Sequence, residues 1–302
     1  MTARTPLPPT LGNGAFSVRD ARSAGASASR LRSGDLERPF HGVRNRIPGK
    51  PDLLRRCATY QHWMPEHAFF CGFTAASILN IPLPYSHEQS EDLHVAVPAP
   101  HRAPRGKGII GHALQVEGTD AHVVDDLRIS SAERTWFDLG SALNLSDLVA
   151  ATDFLISRSA PLTTPSRLAA ALARYPGRRG RRSLRQALEL ADARSESLKE
   201  SQLRLILSGA QLAGLVSNLE ITTSGGSRYR ADLAFPEQRV LIEYQSDYHG
   251  ETEQFRADMT RRSRLEADGW FVVYVNADDL RNPEELVARI RSVLFKRSHD
   301  GH

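Results

Sequence analysis

The chain has 302 residues, enough for two domains, and its 40% apolar and 25% charged residues fit a globular protein rather than a disordered or fibrous one. Its net charge of +4 and pI near 9.3 permit a polyanionic partner without requiring one. No apolar run reaches a membrane span, since the best candidate, 68–83, is interrupted by Gly72, Asn80 and Pro82. A cytoplasmic, non-membrane protein is expected, and the two cysteines, Cys57 and Cys71, read as reduced thiols without metal-ligand spacing.

Residues 1–30 are rich in Ser, Ala, Gly, Pro and Arg without helical or strand period, and read as a disordered tail. The stretch 31–44 suggests a short helix followed by a strand. It is either a DNA-touching wing with Arg44 and Arg46 or a linking strand, and the linking strand is the preferred reading. Helical spacing covers 53–60 and 69–79, and Pro82 and Pro84 end the second helix. Residues 93–97 and 109–114 alternate as strands around a basic loop. Ser130 and Glu133 predict a capping box opening a helix through Leu143, and Ser146 predicts the next cap. Thr164-Pro165 starts a helix that runs to about Tyr175.

The densest positive cluster follows, with Arg178, Arg179, Arg181, Arg182 and Arg185. Phosphate contact and a solvated turn weigh about equally there. Residues 195–213 form a strong helix. A strand at 218–222, a turn at 224–227, and apolar strands at 231–235 and 240–242 come next. A polar helix over 251–267 stops at Gly269, a dense strand covers 270–275, and Asn282-Pro283 opens a last helix. This order of helix, three strands, helix, strand and helix predicts a mixed sheet covered by helices. The expected fold class is α/β (α+β), with a mixed α+β region at 31–192 and a sheet domain at 193–298.

The chemistry concentrates between Arg230 and Gly250. Asp232 and Glu243 lie on neighbouring strands about 4.8 Å apart, where two carboxylates can share one hard cation. Gln245 lies two residues beyond Glu243 on the same face, and Glu200 opens the preceding helix. This donor set suits Mg²⁺ (or Mn²⁺), which would polarise a phosphodiester and acidify a bound water. His249 would orient or deprotonate that water. Each residue also has a simpler explanation: Glu200 fits a capping box with Ser197, and Asp232 could pair with Arg228 or Arg230.

Residues 195–297 resemble the Vsr-like (very-short-patch-repair endonuclease-like) branch of the PD-(D/E)XK nucleases. The likeness rests on SESLKESQLRLIL, RADLAFPEQRVLIEYQSDYHG, the helix with Asp258 to Arg262, and LEADGWFVVYVNADDL. Residues 31–190 resemble an AbiEi antitoxin-type region through LRSGDLERPFHGVR, DLHVAVPAP and SSAERTWFDL. The resemblance implies a metal-dependent endonuclease of DNA repair or defence. It places Glu200, Asp232 and Glu243 at the carboxylate positions, Gln245 at the variable third position and His249 after the strand. Relatives usually read E-x-D-G where this chain has Glu243-Tyr244-Gln245-Ser246, and often carry an arginine at the place of Tyr274. Backbone phosphates would be bound by Arg178, Arg179, Arg181, Arg182, Arg256, Arg261 and Arg262. The alternative is a non-catalytic DNA-binding regulator of antitoxin type, with a toxin or other protein as partner.

Overall fold

A computed structural model describes residues 5–12, 14–46, 52–88, 90–195, 197–245 and 252–299. Among them are twelve α-helices and three sheets, the mixed α/β class expected. The chain divides into two compact units. The first comprises Met1–Ala142 with Ala170–Arg179, and the second Leu143–Ala169 with Gly180–His302.

The first unit begins with β1 (Ala15–Ser17) and α1 (Val18–Ser23). Ser17 caps α1 by accepting the Asp20 N–H. β2 (Val43–Asn45) pairs antiparallel with β1, and Phe16, Ala21, Leu31 and Leu36 are buried together. The described part of 5–30 is therefore ordered, not a disordered tail. Its apolar residues are too scattered to show a period, and they meet only in three dimensions. Arg44 donates to the carbonyls of Leu31 and Val43 at 2.7 Å.

Asp52 caps α2 (Leu53–Gln61). The helix expected over 69–79 is instead β3 (Phe69–Phe70) followed by α3 (Gly72–Ile78), with the positive φ of Gly72, 51°, at the junction. Next come α4 (Tyr85–Glu88), β4 (Leu93–Pro98), β5 (Ile109–Leu114), β6 (Ala121–Val124), β7 (Leu127–Ser130) and α5 (Ala132–Leu139). The sheet order is β5-β4-β3-β7-β6, with β4–β5 and β3–β7 parallel. Leu93, Val95 and Val97 face one core with Phe70 and Ile129, so His94 and Ala96 face the other side.

The second unit holds α6 (Leu145–Leu155), the start of α7 (Pro165–Arg174), α8 (Arg181–Leu190) and α9 (Leu198–Gly209). The caps of α5 and α6 are Ser131 and Asn144, not Ser130 and Ser146. The sheet then forms from β8 (Val216–Thr222), β9 (Arg228–Phe235) and β10 (Val240–Tyr244), crosses over through α10 (Thr252–Ala267), and adds β11 (Phe271–Val275). α11 (Ala277–Arg281) and α12 (Pro283–His299) close the chain. The order is β11-β10-β9-β8, with β10–β11 parallel and the other pairs antiparallel. One face carries Leu233, Phe235, Val240 and Ile242 against Leu203 and Leu207 of α9 and Leu286 and Ile290 of α12. The other carries Ala231, Ala234, Leu241 and Val272 with Leu265 of α10. None of the described helices is long and apolar enough to cross a membrane.

The expected boundary at 192/193 does not separate the units. Asp153 of α6 is 1% exposed and accepts from Arg204 (2.7 Å) and Ser201 (2.6 Å) of α9 and from the Asp192 N–H. Asp147 accepts from Gln202, and Arg204 also donates to the Leu190 carbonyl. These bonds make α6 and α9 parts of one body.

Candidate active site

Strand alternation aims Glu243. Ile242 and Tyr244 pack on the α9 face of the sheet, so Glu243 points to the α10 face, where it is 8% exposed. There Arg261 of α10 donates to Glu243 Oε1 at 2.6 Å, and the same nitrogen also donates to the Arg230 carbonyl at 2.9 Å. The Arg261 guanidinium stands 5.7 Å from the Tyr229 ring, and its Nε is buried with no acceptor among the described residues. Arg261 therefore neutralises a carboxylate rather than standing open as a backbone-phosphate contact.

Asp232 lies where β9 changes faces. Leu233 packs with the α9 cluster and Ala231 with the α10 cluster, although they are two residues apart. On the neighbouring strand, Asn218 has a positive φ of 50° between the pairs Ser217–Leu233 and Leu219–Ala231. The β9–β10 pairing ends at Ile242–Leu233. Beyond it, Asp232 Oδ2 accepts the Tyr244 N–H at 3.0 Å, which sets this carboxylate beside the backbone that follows Glu243. Asp232 and Glu243 thus both lie just past the end of the β9–β10 pairing.

The remaining predicted residues are dispersed. Glu200 lies in the first turn of α9, its N–H bonded to Ser197 Oγ at 3.1 Å, and α9 packs on the face opposite the Glu243 side chain. The helix cap accounts for Glu200 at this position. Gln245 is exposed, and its N–H donates to the Val275 carbonyl at 2.7 Å. His249 and the side chain of Arg256 lie outside the described residues. Arg262 donates to Glu266 at 2.7 Å within α10. Arg178, Arg179 and Arg182 are exposed and Arg181 is half-buried. The unit boundary falls between Arg179 and Gly180, so the basic cluster belongs to two bodies.

Asp232, Glu243 and Gln245 have the right chemistry for Mg²⁺. A cation would compete with Arg261 for Glu243 Oε1. The described residues contain no cluster of three or more His, Cys, Asp or Glu side chains placed to hold a metal. Sequence reasoning missed a cleft of about 260 Å³ in the second unit, lined by Arg158, Arg194 and Arg230 with Ser157, Asn218 and Glu220. Asp192 holds Arg194 at 2.8 Å. These arginines are dozens of residues apart, so no run of charge in the sequence marks them.

No protein-family model matches the chain, and no solved structure matches it significantly. It is 30% identical over 262 residues to "Uncharacterized protein MT2308" of Mycobacterium tuberculosis (strain CDC 1551 / Oshkosh). It is likewise 30% identical over 262 residues to "Uncharacterized protein Rv2248" of Mycobacterium tuberculosis (strain ATCC 25618 / H37Rv). Each alignment spans 86% of this chain and 93% of the relative. The chain belongs to the protein family that these two mycobacterial proteins represent.

Proposed function

We propose that the second unit is a Vsr-like, PD-(D/E)XK-type hydrolase of DNA phosphodiesters that uses Mg²⁺ or Mn²⁺. The observation that carries this reading is the bond from the amide just after Glu243 to the Asp232 carboxylate, where the β9–β10 pairing ends. Asp232 and Glu243 would hold the cation, with Gln245 at its side. When bound, the cation supplies Lewis-acid polarisation of a phosphoryl oxygen and a water of lowered pKa. The chain's own groups position the substrate. The cleft of Arg158, Arg194 and Arg230 offers guanidinium groups to backbone oxygens, and Arg261, once released from Glu243, offers another. His249 is the base or orienting group in this reading, and Glu200, which opens α9 on the opposite face of the sheet, has no part in it.

The test is nicking of supercoiled plasmid with Mg²⁺ or Mn²⁺. The wild type nicks, and Asp232→Ala, shown folded by circular dichroism, does not. Equal nicking by the variant would identify a contaminant and remove the proposal.

One observation favours a second reading. The 2.6 Å ion pair already balances Glu243 without a metal, as expected of a DNA-binding regulator of antitoxin type built on a retired nuclease fold. This reading expects salt-dependent DNA binding, no metal-dependent cleavage, and a toxin or other protein partner.

A further inference from the structure

The ion pair that closes Glu243 is incompletely satisfied on its arginine side. A single nitrogen of Arg261, Nη2, serves two acceptors, Glu243 Oε1 at 2.6 Å and the Arg230 carbonyl at 2.9 Å. Its Nε is buried with no acceptor among the described residues. A guanidinium carries five N–H donors in a planar fork, and its strongest contacts set two of them on two oxygens of one anion. Glu243 receives only one, so the pair is short but one-sided. The Arg261 side chain keeps 31% of its surface in solvent, and that of Glu243 keeps 11%. The arginine is therefore the partner with room to move.

Arg264 follows Arg261 by three residues on α10, which puts the two on one face of the helix. Arg264 is exposed and reaches Ser227 Oγ at 3.3 Å and Tyr229 Oη at 3.4 Å, long bonds to neutral hydroxyls. The Arg261 guanidinium stands 5.7 Å from the ring of the same tyrosine. Two cations thus meet one tyrosine, one of them open to solvent and the other turned onto Glu243. Energetics select what can turn it away. A divalent cation that took Oε1 by itself would leave the Arg261 charge without its carboxylate. A phosphodiester offers two anionic oxygens matched to the guanidinium fork, so that Nε and an Nη nitrogen both find acceptors. Release by a phosphate exchanges one ion pair for another, whereas release by the cation alone exchanges it for none.

We propose that Arg261 is a partner-switching residue: it pairs with Glu243 in the free protein and turns to a backbone phosphate when a DNA strand docks against Arg264, which opens Glu243. DNA binding is common to the nuclease and to the regulator, so the switch itself needs only that. Its consequence for the cation rests on the nuclease reading. A strand that draws Arg261 off Glu243 raises the cation affinity, and by reciprocity the cation raises the strand affinity by the same factor. The site then fills with metal chiefly when substrate is present.

The experiment measures binding of a fluorescent DNA duplex to the full-length protein by anisotropy, in EDTA and over a range of salt, so that it needs neither metal nor cleavage. Arg261→Ala flattens the slope of log K against log[salt] by about 0.9, the value of one lost phosphate contact. Glu243→Gln has no ion pair to break and binds the duplex about fivefold or more tightly than the wild type. In the Arg261→Ala background the same change gains about twofold or less. Arg261→Gln, closer to arginine in length, repeats the cycle, and circular dichroism checks the fold of each variant. An unchanged salt slope in Arg261→Ala overturns the switch. So does an equal gain from Glu243→Gln in both backgrounds, or no duplex binding by any variant. Calorimetric titration with Mn²⁺, with and without a phosphorothioate duplex and corrected for uptake by the duplex alone, tests the cation half. The wild type gains about fivefold or more in Mn²⁺ affinity from the duplex, and Arg261→Ala gains less. The two failures separate. Plasmid nicking with an unchanged salt slope keeps the nuclease and discards the switch. A flattened slope and a non-additive cycle, without Mn²⁺ uptake or nicking, keep the switch and discard the nuclease.

Discussion

A carboxylate that is 8% exposed needs a counter-charge, and for Glu243 that group is Arg261 at 2.6 Å. If cation and guanidinium compete for Oε1, Arg261→Ala will bind Mn²⁺ more tightly than the wild type by calorimetry, and Glu243→Gln will abolish that gain. The same variant loses about 1–3 kcal/mol of stability, because the Glu243 charge is then buried without this partner. Unchanged Mn²⁺ affinity in Arg261→Ala would show that the ion pair is not what limits the site. His94 gives a second prediction at this scale. Its folded pKa of about 4 lies below the ordinary 6.5, so between these values the unfolded chain takes up the proton and the folded chain does not. His94 therefore costs no stability above about pH 6.5, and stability falls as the pH drops towards 4. The loss is on the order of 2 kcal/mol once solvent screening of this half-buried ring is allowed for. Urea unfolding at pH 7 and pH 5 should show a smaller drop for His94→Gln than for the wild type.

The way α6 locks onto α9 is an element-scale contact with a measurable consequence. The Asp153 and Arg204 side chains are 2% and 10% exposed, and Asp153 also receives Ser201 and the Asp192 N–H. Asp153→Ala should cost about 3–5 kcal/mol, read from denaturant midpoints, because it strands a buried guanidinium. An apolar replacement of both partners should cost less than the single change. None of this was legible beforehand, since residues 153 and 204 share no local pattern. The elements written in local chemistry were legible. The strands around Leu233 and Leu241, the turn at Ser224–Ser227, the stop at Gly269 with φ of 83° and the start at Pro283 all stand where their residues put them. The four-residue strands β6 and β7 carry too few residues for a period to show, and Phe69-Phe70 reads equally as helix until Gly72 turns the chain. The candidate site divides in the same way. Asp232 and Glu243 could be read from the two apolar runs that hold them, whereas the pairing of Arg261 with Glu243 needed the rotation of α10.

For the molecule as a whole, the division into units says which pieces can stand alone. A fragment starting at 193, the boundary suggested by the resemblance, keeps the whole β8–β11 sheet with α9 and α12. It removes α6 and α8, and with them the acceptors that Arg204 and Gln202 use, Asp153 Oδ2, Asp147 Oδ1 and the Leu190 carbonyl. Residues 143–302 retain every one of these bonds. They also carry 170–179, which in the intact chain belongs to the first unit through the bonds of Tyr175 and Arg174 to the fully buried Asp120 at 2.6 and 2.7 Å. The expected outcome is a cooperative thermal transition by circular dichroism for 143–302 and a broad or absent one for 193–302. A buried guanidinium without its carboxylate costs about 3–5 kcal/mol against a typical total stability of about 5–15 kcal/mol. If 193–302 melts as cooperatively as 143–302, then α6 and α8 are accessory to the sheet unit, and the Asp153–Arg204 pair holds neighbouring bodies together rather than completing one.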